Sequence, residues 1–390
     1  MKLLIYSHFF APSVGGMESV VLSLVRGLAG LRMPNGSAQF DVTVVTQTDA
    51  ANCDDRALSY RVIRRPKLSE LWQLIRASDL IHMAGPVIVP LLLSKIAGKR
   101  AVVEHHGFQT ICPNGQLFIE SSCTPCPGHF MQHRHSVCLR CNRKEGWWRS
   151  IRLWLLTFVR RFLCAGIAAN VAPTEWLAGM LQLPKFIHIS HGLGCRSVPL
   201  RDGPFSSTPT IAFQGRLVST KGVSLLLKAA HILLERGRAF DLLIIGDGPE
   251  LASLQELAEG SGLSGCVRFA GRLPDSELDA ALSHAKLVVV PSLGGEVFGM
   301  VLAENMQRAI PVIASNLGCF VEVVGDSGRI FRTGDASDLA CEIELLLSDT
   351  VQATRLGAAG ARRVSEFYSE RKMIEEHARM YHEVAELARF

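Results

Sequence analysis

Short apolar runs alternate with helical patterns along almost the whole chain of 390 residues. Runs of this kind are typical of strands buried on both faces, and strands separated by helices pair in parallel sheets with helices on both faces. In the first half we predict strands at Leu3–Tyr6, Val42–Thr46, Leu80–Met83, Arg100–Glu104 and Ile167–Ala172. In the second half we predict them at Thr210–Gln214, Leu242–Ile245, Val267–Ala270, Leu287–Val290, Pro311–Ala314 and Gly328–Phe331. The pattern predicts an α/β fold.

A polar stretch with Gly and Pro, residues 201–209, separates the two halves as a linker would. Together with the chain length, it predicts two Rossmann-like domains that face each other across a cleft. The first domain is expected to span residues 1–198 and to include a Cys-rich insert at 108–143. The second is expected to span 199–368, and an amphipathic helix over 369–390 to return to the first domain.

The charges are divided unevenly between the two halves of the chain. Residues 1–200 carry 22 Lys and Arg against 11 Asp and Glu, whereas residues 201–390 carry 19 against 25. A basic first half indicates an anionic partner. Because no basic run is interleaved with aromatic residues, we expect no nucleic-acid partner, and an anionic lipid or phosphorylated acceptor fits better.

The sequence shows neither a clear signal peptide nor a clear transmembrane segment. The first apolar run is too short for a signal peptide, and no stretch of about 18 uncharged apolar residues predicts a transmembrane helix. Eleven cysteines without such a signal favour a reducing compartment. We therefore expect a cytoplasmic protein.

The segment from Gly146 to Phe162 holds three of the five tryptophans and several arginines at helical spacing. One interpretation is a helix packed on the sheet with its arginines in water. The other is an interfacial helix on an anionic leaflet, which would make the protein peripheral on the cytoplasmic membrane face. The sequence leaves both open.

Two carboxylates, Glu296 and Glu304, lie on either side of a Phe-Gly turn that follows the predicted strand Leu287–Val290. Val301 and Met306 continue at helical spacing, so a helix begins between the two glutamates. The free N–H groups at such a helix start favour anions. If Glu304 lies about a turn and a half into the helix, the carboxylates are on the order of 10 Å apart. This spacing could place one carboxylate at each end of an elongated ligand whose phosphates lie over the amides between, and a nucleotide-sugar has that shape.

Two cations in a glycine-bounded turn, Arg216 and Lys221, follow the strand Thr210–Gln214. A guanidinium fork and an ammonium group at this spacing can chelate a diphosphate. Gly246 also ends a predicted strand, where a glycine allows close approach to a ligand. A solvated loop with two cations is the alternative.

Candidate contacts in the first half lie at strand ends. Gly15 and Gly16 offer amides at a helix start after the first strand. His106 follows the strand Arg100–Glu104 and is expected to project into the cleft and contact a ligand there, whereas His82 is expected to be structural.

The insert contains two Cys-x-x-Cys pairs, Cys123 with Cys126 and Cys138 with Cys141. Four thiolates could hold a structural zinc ion that staples the loop. Reduced free cysteines and a redox or disulfide role stay open as alternatives.

In their order and spacing these elements resemble the family-4 retaining glycosyltransferases of the GT-B fold. The motifs that carry the resemblance extend over nearly the whole chain: Gly15-Gly16-Met17-Glu18, Asp79-Leu80-Ile81-His82, His106-Gly107, His191-Gly192-Leu193, Gly215-Arg216 with Lys221-Gly222, Gly246-Asp247-Gly248-Pro249, and Pro291-Ser292 with Glu296, Phe298-Gly299 and Glu304. The chain departs from the family at Asn305–Pro311, where Ala-Met-Ala-x-Gly-x-Pro is common.

The resemblance implies a glycosyltransferase that uses a UDP- or GDP-sugar, retains the anomeric configuration and requires no cofactor for catalysis. Its acceptor would be a glycan, a lipid-linked precursor or a small molecule. The implied catalytic residues are His106, Arg216, Lys221 and Glu296. The implied donor contacts are Gly15, Gly16, Arg216, Lys221, Gly246, Leu273, Glu296, Phe298, Gly299, Met300, Val301 and Glu304. Within this set Glu304 would bind the ribose and Glu296 the donor sugar.

Two other functions remain alternatives at this point. A sugar-nucleotide epimerase of related two-domain fold would act on the sugar without an acceptor. A non-catalytic membrane adaptor would keep nucleotide-sugar binding alone.

Overall fold

A computed structural model of the chain describes residues 1–13, 15–50, 54–143, 146–195 and 208–386. Most of the predicted linker, residues 201–207, lies outside these ranges. The strands are β1 (Lys2–Ser7), β2 (Asp41–Thr46), β3 (Arg61–Arg64), β4 (Leu80–Ala84), β5 (Arg100–Glu104), β6 (Phe118–Ile119), β7 (Thr124–Pro125), β8 (Ala169–Ala172), β9 (Phe186–His188), β10 (Thr210–Gln214), β11 (Asp241–Ile245), β12 (Val267–Gly271), β13 (Ala285–Val290), β14 (Val312–Ser315) and β15 (Arg329–Phe331).

The helices separate these strands. They are α1 (Gly16–Gly30), α2 (Leu68–Ala77), α3 (Ile88–Ile96), α4 (His135–Cys141), α5 (Trp147–Ala165), α6 (Glu175–Leu181), α7 (Val223–Glu235), α8 (Leu251–Gly260), α9 (Asp275–Ser283), α10 (Met300–Gln307), α11 (Gly318–Val324), α12 (Ala336–Ser348), α13 (Thr350–Phe367) and α14 (Glu370–Glu386). The contacts divide the chain into two compact units. Unit 1 comprises residues 1–116, 128–195 and 368–390, and unit 2 comprises 117–127 and 196–367.

Unit 1 is built on a parallel sheet of seven strands in the order β3-β2-β1-β4-β5-β8-β9. The apolar residues of β1 are buried because helices cover the sheet, as continuous apolar strands require. The two edge strands, β3 and β9, were not predicted from the sequence. They are four and three residues long, and neither carries the apolar run that marks a central strand.

The two ends of unit 1's sequence pack together as helices. Val20, Val21, Leu24 and Val25 form the buried face of α1, and α14 packs against this helix. At Gly27 a Cβ atom would lie only 2.0 Å from Ile374 Cδ1, so the absent side chain allows the close approach of α14. The carboxyl-terminal helix is thus an integral part of unit 1.

Unit 2 is built on a parallel sheet of six strands in the order β12-β11-β10-β13-β14-β15. The central strands are apolar, and all six residues of β13 are buried. Helices α7 and α12 contribute apolar side chains to the core, including Leu226, Leu233 and Leu339. The carboxyl ends of parallel strands β10, β11 and β13 lie at one edge, which is where ligands bind in sheets of this type.

A two-stranded antiparallel hairpin, β6 with β7, packs with unit 2. The fully buried ring of Phe118 joins the core of unit 2, and its Cβ lies 3.1 Å from where a Cβ on Gly294 would be. The sequence-based division placed the whole insert 108–143 in the first domain. In the structure residues 117–127 of that insert belong to unit 2, and residues 108–116 and 128–143 belong to unit 1.

Candidate functional site

Three loops at the carboxyl edge of unit 2's sheet contact one another through their backbones. A Cβ on Gly246 would lie 1.8 Å from the carbonyl oxygen of Gly215. Gly222 has a φ of 68°, and a Cβ there would lie 2.1 Å from the carbonyl oxygen of Pro291. Leu293 N–H also donates to Thr220 O at 2.7 Å. The loops after β10, β11 and β13 therefore form one connected surface.

Lys221 and Glu296 form an ion pair on this surface, with Nζ 2.5 Å from Oε1. The Ser292 hydroxyl donates to the same carboxylate oxygen at 2.9 Å. The side chains of Lys221 and Glu296 are 27% and 13% exposed, so both reach solvent and a ligand. A negatively charged ligand can compete with Glu296 for the ammonium group.

Arg216 lies in the same loop, and its side chain is exposed. It forms no ion pair with the residues that the structure describes. Its guanidinium is therefore available to an anion, and the N–H groups of such a fork match phosphate oxygens.

Helix α10 begins directly after the loop that carries Glu296. Gly299 precedes it with a φ of 96°, and a Cβ there would lie 2.6 Å from Phe320 Cε1. Phe298 is buried beneath the turn, whereas Met300 and Val301 are half-buried at the helix start. The first N–H groups of a helix have no partner within it, so those of α10 are suited to an anion.

Glu304 lies in the second turn of α10 and is oriented by an amide network. Gln214, the last residue of β10, donates from Nε2 to Glu304 Oε2 at 3.3 Å. Asn305 Nδ2 in turn donates to Gln214 Oε1 at 3.1 Å and to Val301 O at 2.8 Å. The network holds the half-buried carboxylate of Glu304 at the sheet edge.

Two further predicted donor contacts also lie near strand ends of unit 2. Gly246 follows β11 immediately, and Leu273 follows β12 as a half-buried side chain next to exposed Arg272. Arg216, Lys221, Gly246, Leu273, Glu296 and Glu304 thus all belong to one unit and to loops or a helix at strand ends.

The remaining predicted contacts, Gly15, Gly16 and His106, belong to unit 1. Gly15 and Gly16 begin α1, and Glu18 folds back over them, since a Cβ on Gly15 would lie 2.3 Å from Glu18 Oε2. A carboxylate thus already neighbours the amides of this helix start.

His106 follows β5 and belongs to a buried cluster around Glu104. Its side chain is 4% exposed and stacks on His191, with ring centroids 5.2 Å apart. Burial lowers the pKa of His106 to about 3, so the ring is neutral at neutral pH.

The four cysteines of the predicted zinc site are divided between the units. Cys123 and Cys126 belong to the hairpin in unit 2, and Cys138 and Cys141 to α4 in unit 1. Asn114 Nδ2 contacts Cys141 Sγ at 3.9 Å, and the thiol of Cys112 donates to Asn114 Oδ1 at 2.9 Å. The zinc site stays a prediction.

Sequence reasoning missed the residues that support the predicted contacts. Gln214, Ser292 and Asn305 hold the two glutamates, and a polar residue at the end of an apolar strand was the available signal for Gln214. No local signal identifies the cluster around Glu104, because only His106 is near it in sequence and the other three histidines come from distant segments.

Residues 201–363 match the family described as "Glycosyl transferases group 1". A phosphatidyl-myo-inositol mannosyltransferase from Mycobacterium leprae is 36% identical over 220 residues, which cover 56% of this chain and 57% of the relative. The chain thus spans little more than half the length of that relative.

A second relative aligns over nearly its whole length. A GDP-mannose-dependent monoacylated alpha-(1-6)-phosphatidylinositol monomannoside mannosyltransferase from Corynebacterium glutamicum is 24% identical over 400 residues, covering 94% of each protein. Among solved structures, sucrose-phosphate synthase from Thermosynechococcus elongatus is similar, with a TM-score of 0.73, 18% identity and 98% of each chain covered. This likeness confirms the predicted GT-B fold class. The family match covers residues 201–363, and it agrees with the resemblance of the motifs in that part of the chain.

Proposed function

We propose that this protein is a glycosyltransferase that moves a sugar from a nucleoside-diphosphate donor to an acceptor with retention of configuration. The observation that carries the proposal is the pair Lys221–Glu296, held by Ser292 and lying on the same sheet edge as Glu304. Cations, carboxylates and a helix start are what a diphosphate flanked by two polyols needs for recognition.

Each group of unit 2 has a role in this reaction. Arg216 and Lys221 bind the diphosphate and stabilise the negative charge that grows on it as the glycosidic bond breaks. The amides at the start of α10 assist them. Glu304 accepts hydrogen bonds from the ribose hydroxyls, and Glu296 from hydroxyls of the donor sugar. Leu273 and Gly246 lie on the base side.

Retention follows from attack on the same face that the leaving group departs from, with the leaving phosphate accepting the proton of the acceptor hydroxyl. His106 is neutral, and its ring nitrogens are buried beside Glu104 and His191, so the ring would have to turn outward to donate a hydrogen bond to the transferred sugar. This chemistry uses the two cations of the loop for charge stabilisation and requires no cofactor.

The named relatives support a donor and an acceptor class. The Corynebacterium glutamicum relative is named as GDP-mannose-dependent and as acting on a phosphatidylinositol mannoside. We infer a GDP-sugar as the first donor to test, ahead of a UDP-sugar, and a lipid-linked acceptor ahead of a soluble glycan or a small molecule.

Unit 1 has an exposed apolar and basic surface that is suited to binding the membrane in which a lipid acceptor lies. The neighbouring helices α3 and α5 expose Val89, Leu92, Ile96, Trp147, Trp148, Leu155, Phe158, Val159 and Phe162. Exposed Arg149 and Arg152 lie on α5, and Lys95 Nζ lies 5.1 Å from the centroid of the Phe162 ring. No helix in the described ranges has the length and apolar character to cross a bilayer. We infer peripheral binding to an anionic leaflet by this face, on the cytoplasmic side.

Donor hydrolysis tests the enzymatic proposal. The wild type and Lys221→Met are incubated with GDP-, UDP- and ADP-sugars without acceptor, and the released nucleoside diphosphate is measured. We expect slow release from one donor and at least about tenfold less with Lys221→Met, since a charged contact contributes about 1.5–3 kcal/mol. The matched control is Lys228→Met, an exposed lysine of α7. A donor whose sugar is epimerised would support the sugar-nucleotide epimerase instead. Donor binding without turnover would support the non-catalytic membrane adaptor.

Co-sedimentation with vesicles tests the membrane face. We expect binding to vesicles with anionic lipid, and its loss in the double variant Trp148→Ser, Phe162→Ser. The control is Val351→Ser, an apolar residue of unit 2 that is 80% exposed. Equal binding by both variants would contradict the assignment of this face.

A further inference from the structure

Glu104 lies in the interior of unit 1 with neither of its carboxylate oxygens in a hydrogen bond to the described residues. Four histidine rings surround it. The Nε2 atoms of His82, His377 and His106 lie 3.3, 3.6 and 3.7 Å from Oε2, and that of His191 lies 3.4 Å from Oε1. A fully buried carboxylate needs a compensating positive charge or hydrogen bonds. This compensation comes either from N–H groups of the histidine rings, neutral or protonated, or from a metal cation.

The hydrogen bond of His377 argues for a cation. Its Nδ1 lies 2.9 Å from the carbonyl oxygen of Met373, which can only accept, so Nδ1 carries the proton. A neutral ring therefore presents the lone pair of Nε2 to Glu104 Oε2. Two acceptors that face each other in the protein interior repel, whereas a metal ion between them binds both.

His82 is held in the same manner. Its Nδ1 lies 2.9 Å from the hydroxyl oxygen of the fully buried Tyr381, which orients the ring and leaves Nε2 facing Glu104. Metal-bound histidines commonly use the second ring nitrogen in this way, because the outer hydrogen bond fixes the tautomer and the ring orientation. Both rings thus have the arrangement of ligands.

The distances match a small tetrahedral ion. Ligand atoms about 2.0–2.1 Å from zinc lie about 3.3–3.4 Å from one another at the tetrahedral angle. The two nitrogen–oxygen distances are 3.3 and 3.6 Å, and the three candidate ligand atoms of His82, Glu104 and His377 all lie within 4.8 Å of one another. Imidazole ligands disfavour magnesium and calcium, which prefer oxygen.

We propose that His82, Glu104 and His377 bind a structural zinc ion in unit 1. His82 comes from β4, Glu104 from the end of β5 and His377 from α14, so the ion would join the carboxyl-terminal helix to the centre of the sheet. The site is separate from the predicted cysteine site and shares no residue with the proposed donor contacts.

Metal analysis tests the proposal in a background where the four insert cysteines, Cys123, Cys126, Cys138 and Cys141, are replaced by Ser. Protein purified without chelator and dialysed is expected to retain one zinc per chain. Adding His377→Gln is expected to remove it, whereas His231→Gln, a surface histidine of unit 2, retains it. Zinc retained by the His377→Gln protein, or absent from the background protein even after zinc is added, would overturn the proposal.

A second measurement uses the unaltered chain and does not depend on variants that fold. Cobalt is loaded in place of zinc, because nitrogen and oxygen ligands give weak visible bands without the intense near-ultraviolet thiolate bands of a cysteine site. Hydrogen exchange of residues 370–386 is then followed with chelator and after zinc is restored. We expect the weak bands and a zinc-dependent protection of α14. Thiolate bands alone, with unchanged exchange of α14, would show that protons on the rings balance Glu104.

Discussion

Replacing Glu296 by Gln separates its two effects on the proposed reaction. In the free protein, Glu296 binds the ammonium group of Lys221 at 2.5 Å, and a diphosphate must compete for that group. A partly exposed ion pair contributes up to about 1 kcal/mol. Gln removes the charge but can still accept the hydrogen bond from Ser292. We therefore expect Glu296→Gln to bind the free nucleoside diphosphate as tightly as the wild type or up to about fivefold more tightly.

The same substitution is expected to lower turnover. A carboxylate that accepts hydrogen bonds from the donor sugar contributes about 1.5–3 kcal/mol, so its loss reduces the rate about 10- to 150-fold. Titration calorimetry with the nucleoside diphosphate and the donor hydrolysis assay measure the two quantities on one preparation. Lys221→Met is the comparison, and Glu256→Gln on the exposed face of α8 is the control. Glu296→Gln binding the nucleotide as weakly as Lys221→Met would refute the reasoning.

Three further predictions concern support and packing. Gln214→Ala removes the amide that orients Glu304, and calorimetry is expected to show nucleotide binding about fivefold weaker, the loss of a bond contributing about 1 kcal/mol; unchanged binding would contradict the network's role. Phe118→Ala empties a fully buried position in the core of unit 2 and is expected to cost about 3–5 kcal/mol, measured by hydrogen exchange in β10. Burial raises the pKa of Cys164 to about 12, so mass spectrometry is expected to find this thiol unmodified by iodoacetamide at pH 8 while exposed Cys341 reacts.

The central strands were predictable because burial on both faces leaves a continuous apolar run in the sequence. For β5 and β10, the predicted first and last residues are those found in the structure. The edge strands β3 and β9 were missed, since a short edge strand needs no such run. The hairpin that contains Phe118 was missed as a part of unit 2 for a different reason: its two strands are two residues long, and only tertiary packing shows which core they join.

The candidate site was predictable where motifs are local and not where side chains meet across distance. The loop with Arg216 and Lys221 and the helix start before Glu304 follow from strand and turn signals. The pairing of Lys221 with Glu296 joins residues that are 75 positions apart. His377 reaches Glu104 only because α14 packs in unit 1, and no spacing in the sequence indicates that contact.

Real-time proton nuclear magnetic resonance of the protein with a GDP-sugar and a lipid-linked acceptor tests the central claim most directly. It follows the donor's anomeric proton, the released nucleoside diphosphate and the configuration of the product in one experiment. We expect the donor signal to fall as nucleoside diphosphate appears and the transferred sugar to have the anomeric configuration of the donor. An inverted product, a sugar epimerised while still attached to the nucleotide, or a donor that is unchanged across GDP-, UDP- and ADP-sugars would contradict the account.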